Sequence, residues 1–392
     1  MIEMIQILIG GDLCPIGVNL PYFLEGDAEA IFHDLLPDFK ESDFSVINLE
    51  CPLINEPAPI AKYGLVLGIE SECIKTFKKA GISALCLGNN HIMDHGERGL
   101  ITTLEKCMEA GIPTVGAGRN LDEARQMLVR NIKGIRIGVL SVAEHEFSIA
   151  QKDFWGANPL DIADFVRNIR ENRDKFDYLI VLFHGGNEFY PYPSPRLMDT
   201  CRFMAEMGAN AVIVQHTHFP GCYEKFNGAY IVYGQGNFIF DKNKKPGDNW
   251  NRGFLVKLLI SDKNAHSMEL LPYVQSEGGA GAVKLAGPEA KKFLKEIQER
   301  SSRLSDEVFI KKEWLRFCNT NRSSFFMKLL PGFMNNRIIS KLNSMVPFAE
   351  HLYSEKHLLR MENLINCESH REVIQTILEE KRFKTSKNRG GG

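Results

Sequence analysis

The chain has 392 residues, 44% hydrophobic and 24% charged, which is ordinary globular material with enough length for one large core and a smaller appendage. Its 47 Lys and Arg stand against 49 Asp and Glu, a formal net charge of −2, so no long-range field draws it to nucleic acid and an anionic substrate must be attracted locally. Nine cysteines with no C-x-x-C pair leave one over from any pairing, which speaks against a disulfide framework and for reduced core thiols.

The opening MIEMIQILIGGDL has no basic leader and one short apolar run, residues 5–9, which predicts a strand ending near Asp12 and not a signal peptide. Nowhere does a stretch approach the roughly 18 apolar residues of a membrane helix, and a cytoplasmic protein is expected. A helix is predicted over 29–39, then a strand over 45–49 that ends at Glu50. A helix over 71–80 precedes a strand over 84–88, which leads into Asn90 and His91. Next come a helix over 97–110, a strand over 136–142, a helix over 161–173 and a strand over 178–183 ending at His184. A helix over 194–207 precedes a strand over 211–215, which runs into His216 and His218. Gly81, Gly111 and Gly208 close three helix-to-strand turns as left-handed caps, and the βα rhythm predicts α/β layers. Late strands over 229–233, 254–260 and 267–271 lack helices between them and predict a hairpin-built antiparallel sheet.

After Gly278 to Gly281 the character changes to Lys, Arg and Glu with helical patterns at 288–303, 305–318 and 350–380. The expected units are therefore a domain over 1–280, a helical extension over 281–385 and a disordered tail over 386–392. Phe317, Phe325, Phe326 and Phe333 are expected to pack against the core or a partner, and the basic amphipathic stretch Arg322 to Lys341 could touch a membrane surface.

One His or Asp at a strand end is usually a turn residue. Five strand exits ending in Asp12, Glu50, Asn90, His184 and the His216/His218 pair point instead to one rim, because open α/β sheets bind ligands at the carboxyl ends of their strands. The i, i+2 histidines share a face if the chain stays extended. Mixed carboxylate, carboxamide and imidazole donors suit Mn, Fe or Zn, and six ligands are suited to two ions sharing a carboxylate. Such a pair ionises water and clamps the attacking and leaving oxygens of a phosphoryl transfer. His91, next to Asn90, diverges from it and suits a general acid. Asp94 could orient that ring but is the better candidate for capping the helix that starts near Glu97, and His95 is expected to be a satisfied loop histidine.

Gly11-Asp12, Asn48 to Leu53, Gly88 to His91 with Met93 to Gly96, His184 to Phe189 with Tyr192-Pro193, Gln215 to His218 and Tyr233 to Phe238 resemble, in order, the motifs of the CapA family of bacterial capsule and poly-γ-glutamate biosynthesis proteins, a branch similar to calcineurin-type metallophosphoesterases. The resemblance spans about residues 5 to 275 and implies an αββα sandwich with a dinuclear site. It implies Asp12 and His218 on one metal, Asn90, His184 and His216 on the other, Glu50 bridging them, and His91 as acid. Glu188 and Asn237 match rim positions that could hold substrate or fix their own loops. Cys14 stands where ordinary metallophosphoesterases have a histidine, and is expected to sit in the turn. Gly185 replaces a tryptophan common in the family, and the usual N-terminal anchor is not seen.

The expectation is a metal-dependent hydrolase in capsule or surface-polymer biosynthesis, acting on an anionic small molecule or polymer building block and not on nucleic acid. Hydrolysis or transfer at a γ-glutamyl amide is the alternative with the same metals, and a non-catalytic part of a polymer synthesis or export complex is the third. The C-terminal helices could make peripheral contact with a capsule-synthesis complex.

Overall fold

The computed structural model describes residues 4–241, 249–262, 265–332, 336–366, 370–374 and 377–378; the expected tail over 386–392 and Phe333 lie outside them. In chain order the first unit contains β1 (Ile5–Leu13), α1 (Leu20–Glu25), α2 (Ala28–Phe32), α3 (Leu36–Glu41), β2 (Phe44–Leu49), α4 (Ile74–Ala80), β3 (Ala84–Cys86), α5 (Gly96–Ala110) and β4 (Thr114–Val115). It continues with β5 (Leu128–Ile132), β6 (Ile135–Ala143), α6 (Ile162–Asn172), β7 (Tyr178–His184), α7 (Pro195–Glu206), β8 (Ala211–Gln215), β9 (Pro220–Phe226) and β10 (Ala229–Gln235). Last come β11 (Asn237–Ile239), β12 (Arg252–Ile260), β13 (His266–Gln275), β14 (Ala282–Lys284) and α8 (Gly287–Ser302).

Two sheets result. One has the order β14-β13-β12-β1-β2-β3-β4, with β11 also paired to β1; the other has the order β9-β10-β8-β7-β6-β5. Side-chain alternation explains how they stack. Ile5, Ile7 and Ile9 of β1 share one buried cluster with Ile180 and Leu182 of β7 and Ile213 of β8, so the sheets pack face to face. The intervening residues face outward: Ile47 and Leu49 lie under Phe23, Phe32 and Phe77 of the helices on one side. Leu179, Val181 and Phe183 lie under Phe165, Leu197 and Met204 on the other. Helix, sheet, sheet, helix is an αββα sandwich, and each middle strand is apolar on both faces because each is covered on both.

The strands β1, β2 and β3 run parallel in the first sheet, and β6, β7, β8 and β10 in the second. Their carboxyl ends carry the residues singled out above. Register shifts at Gly10/Asp12 mark a bulge in β1, a device that re-aims side chains beside functional sites. Gly11 sits in it for want of space: a Cβ there would lie 2.4 Å from the carbonyl oxygen of Gly236.

Several elements differ from expectation. The helix predicted over 29–39 is split into α2 and α3 by a turn at His33, whose φ is 42°, with Pro37 opening the second piece. The strand predicted over 229–233 does not join the later antiparallel strands: β10 lies in the second sheet, parallel to β8 and in a hairpin with β9, and only β12, β13 and β14 form the antiparallel extension of the first. The strand β9, which begins Pro220-Gly221, was not predicted. The first compact unit runs to Lys311 and not to 280, because α8 buries Phe293 and Ile297 in the inter-sheet core.

The second unit, from Lys312, is helical. It contains most of α9 (Glu307–Lys328), with α10 (Arg337–Met345) and α11 (Glu355–Asn366). Phe326 packs on Tyr353 with ring centroids 5.2 Å apart, whereas Phe325 is exposed. No helix among the described residues is long and apolar enough to cross a membrane.

Candidate metal centre

Asp12, Glu50, Asn90, His184, His216 and His218 come together at the carboxyl rim and are all buried. His184 Nε2 lies 2.9 Å from Asn90 Oδ1, 3.1 Å from His216 Nδ1 and 3.5 Å from Glu50 Oε1. On the other side of Glu50, His218 Nε2 is 3.9 Å from Glu50 Oε1, and His218 Nδ1 is 3.7 Å from Asp12 Oδ2. Two ligand groups emerge, Glu50 with His184 and His216, and Asp12 with Glu50 and His218; within each, the ligand atoms lie within 4.8 Å of one another. Neighbouring ligands on an octahedral ion with bonds of about 2.1 Å are about 3 Å apart, so the closest spacings fit a common divalent cation. Glu50 belongs to both groups, and the mixed oxygen and nitrogen donors suit a transition metal.

The histidine pair is not held by an extended chain. His216 and His218 adopt φ of 87° and 51°, left-handed values that cost about 1–3 kcal/mol each in a non-glycine residue and recur at functional sites. Two contacts fix them. Asp12 Oδ2 accepts the His216 backbone N–H at 2.8 Å. Asn237, buried in β11 opposite Asp12, donates from Nδ2 to the Trp250 carbonyl at 3.2 Å, so its Oδ1 faces His218 Nδ1 at 2.8 Å. An acceptor there puts the proton on Nδ1 and makes Nε2 the nitrogen that can ligate. Asn237 thus holds an imidazole rather than standing open at the rim. Glu188 is exposed on the loop after β7, beside Phe189, whose ring lies 6.1 Å from that of His218.

A relay of carboxamides braces the floor. Asn89 Oδ1 accepts the His91 N–H, so Asn89 Nδ2 donates to Asn48 Oδ1 at 3.0 Å, and Asn48 Nδ2 donates to Asp12 Oδ1 at 2.8 Å. Burial dominates the electrostatics. It raises the Asp12 carboxyl to about 6 against the lowering effect of Asn48 and His216. It pushes His184 well below the usual imidazole range, with His216 and His218 adding to the effect. A bound cation favours the ionised carboxylate and the neutral imidazole, so burial leaves His184 in the form a metal takes, whereas a cation would have to displace the Asp12 proton.

His91 is partly exposed, and its Nδ1 lies 2.6 Å from Asp94 Oδ2. Asp94 does not cap the following helix: the N-cap of α5 is His95, which makes no side-chain cap bond. Fully buried, Asp94 instead takes three partners, His91, the Lys62 ammonium at 2.6 Å and the Leu67 N–H at 2.7 Å. His95 accepts the Ala58 N–H at Nδ1, which satisfies it within its loop. Cys14 is buried in the outer core with Cys51 and Cys73, its thiol engaged with that of Cys51 and outside both ligand groups. Lys62 and Glu146 were not predicted. Glu146 Oε2 accepts from Asn90 Nδ2 at 3.1 Å, and because a carboxylate only accepts, it turns Asn90 Oδ1 toward His184.

The strand ends of this αββα sandwich thus gather two groups of candidate metal ligands around a shared glutamate. Residues 6–242 match the family described as bacterial capsule synthesis protein PGA_cap, and the chain belongs to that family. It is 27% identical over 268 residues to the capsule biosynthesis protein CapA of Bacillus anthracis, covering 65% of this chain and 64% of that one. It is 28% identical over 283 residues to the PGA biosynthesis protein CapA of Bacillus subtilis strain 168, covering 70% and 73%. The match thus spans somewhat under two thirds of the Bacillus anthracis protein. Among solved structures, the 5'-nucleotidase of Candida albicans SC5314 aligns with a TM-score of 0.40 at 10% identity, over 81% of this chain and 58% of that one.

Proposed function

We propose that the chain is a metal-dependent hydrolase of a phosphoester in capsule or surface-polymer biosynthesis, using two divalent ions of Mn, Fe or Zn. The observation that supports it is Glu50, common to two candidate ligand groups, with a partly exposed imidazole, His91, next in sequence to Asn90. Bound divalent ions supply an ionised water and positive charge opposite phosphoryl oxygens. The chain supplies the rest. Asp12 and His218 would hold one ion, Asn90, His184 and His216 the other, and Asn237 and Glu146 would keep two of these ligands turned inward. His91, its Nδ1 held by Asp94, has Nε2 left to carry a proton to a leaving oxygen. The described cysteines are free thiols, seven of the eight buried, which supports a reducing, cytoplasmic setting.

Hydrolysis of p-nitrophenyl mono- and diesters with added Mn is the test, with His91→Ala and Asn90→Ala expected to abolish it. Activity surviving both substitutions excludes the assigned site. A second reading, hydrolysis or transfer at a γ-glutamyl amide, is favoured by the name of the Bacillus subtilis relative, a PGA biosynthesis protein. Cleavage of γ-glutamyl peptides with no turnover of any phosphoester would select it. Inactivity of the metal-loaded protein on both substrate classes would leave a non-catalytic component of a polymer complex.

A further inference from the structure

The helix α10 is turned inside out. Its buried residue is Asn343, 5% exposed, while Ile338, Leu342 and Met345 are 74%, 54% and 71% exposed and Val346, just beyond its end, is 69% exposed. Positions 338, 342 and 345 share one helical face, the spacing by which a helix in water normally finds its core. Rotation cannot hide that face. Asn343 Oδ1 accepts the N–H groups of Phe348 and Ala349, each at 3.0 Å, and the Ser323 hydroxyl at 2.9 Å, and Asn343 Nδ2 donates to the Ser323 carbonyl. Four hydrogen bonds thus fix the polar side inward and the apolar side outward. Phe325 and Leu329 at the end of α9 are half exposed as well.

Charge identifies the occupant. From Trp314 to Ala349 the sequence has five Lys and Arg and no Asp or Glu, within a chain of net charge −2. Arg316 and Arg322 are held by Glu313 and Glu350, whereas Lys328, Arg337 and Lys341 are exposed alongside the apolar residues. A second copy meeting this face about a two-fold axis would set like charges against each other. An apolar stripe bordered by cations is the pattern of a helix lying in a membrane interface, with apolar side chains at the acyl boundary and ammonium and guanidinium groups among anionic head groups. We propose that this face docks the chain peripherally on an anionic lipid surface.

Co-sedimentation of the full chain with vesicles tests this. Binding is expected to vesicles in which about a third of the lipid is phosphatidylglycerol, and to be at least about tenfold weaker with phosphatidylcholine alone or in high salt. The triple variant Ile338→Ser, Leu342→Ser, Met345→Ser and, separately, the charge variant Arg337→Glu, Lys341→Glu should each weaken it by about tenfold or more. Unchanged thermal melting in either variant keeps a binding loss from being a folding loss; the charge variant decides if the triple variant does not fold. Absence of binding to the anionic vesicles, or equal binding by parent and charge variant, overturns the proposal. So does light scattering that shows a parent dimer made monomeric by the triple variant, since the face would then be covered by a second copy. None of these outcomes depends on hydrolase activity.

Discussion

Replacing Asp94 by Asn separates what this carboxylate does for His91 from what it does for Lys62. Its two oxygens lie 2.6 Å from His91 Nδ1 and 2.6 Å from Lys62 Nζ, and the Lys62 side chain is 2% exposed. An amide keeps the shape but turns an NH2 toward one of these partners and leaves the lysine without a counter-charge. Removing one member of a buried ion pair costs about 3–5 kcal/mol, a fall in Tm on the order of 10 °C for a domain of this size. Loss of the group that orients a general acid costs about 100- to 10,000-fold in kcat. Adding Lys62→Met removes the uncompensated charge, so the double variant should regain most of the melting temperature and none of the rate. Thermal melting and p-nitrophenyl phosphate turnover with Mn measure both quantities on one preparation. The reasoning is refuted if Asp94→Asn turns over like the parent, or if rate returns together with stability in the double variant, since Asp94 would then be scaffold alone.

Asn237→Leu removes the acceptor on His218 Nδ1 and should weaken Mn binding by about 10- to 100-fold, read by titration calorimetry; unchanged affinity would detach His218 from the metal. Cys14→Ser should lower stability by about 1–3 kcal/mol, because it puts a hydroxyl in the apolar core, while leaving metal content unchanged; a lost equivalent of metal would make Cys14 a ligand. Glu146→Ala should loosen Asn90 and weaken Mn binding in the group containing His184, without a change in melting of the metal-free protein. Metal affinity should also depend on pH. The folded pKa of Asp12, about 6, lies above its unfolded value, so its contribution to metal-free stability is complete at low pH and is lost as pH rises through 6. His184 has the opposite sign: its folded pKa is depressed, and its contribution is present above the ordinary imidazole pKa and lost as pH falls toward the lowered value. A cation must displace the Asp12 proton, so affinity should fall about tenfold per pH unit below 6, and a flat profile would remove Asp12 from the ligand set.

The rim was legible because strand ends are local. An apolar β-branched run followed by Asp12, Glu50 or His184 reveals both the strand and the polar residue it delivers, and parallel strands deliver such residues to one side. What holds the ligands was less legible, because it depends on contacts distant in sequence. Glu146 reaches Asn90 across 56 positions and Lys62 reaches Asp94 across 32, with no periodic signal in either loop. Asp94 was assigned to a cap because Asp just before a helix usually caps it; burial against Lys62 and His91 overrode that local preference. The strand β9 was hidden by its Pro-Gly start, since both residues ordinarily mark turns, and here they stand at a sheet edge where a Cβ at Gly221 would clash with the Tyr233 carbonyl. The end of the first unit was missed because α8 reads as a charged surface helix, and only Phe293 and Ile297 tie it to the sheets.

The central claim is that two cations share Glu50 between Asp12 with His218 and Asn90 with His184 and His216. Anomalous diffraction at the Mn edge from Mn-soaked crystals, with metal content measured on the same protein, tests it most directly. Two peaks about 3.5–4 Å apart with Glu50 between them are predicted. Protein that takes up no metal after reconstitution, or peaks only at other residues, would contradict it.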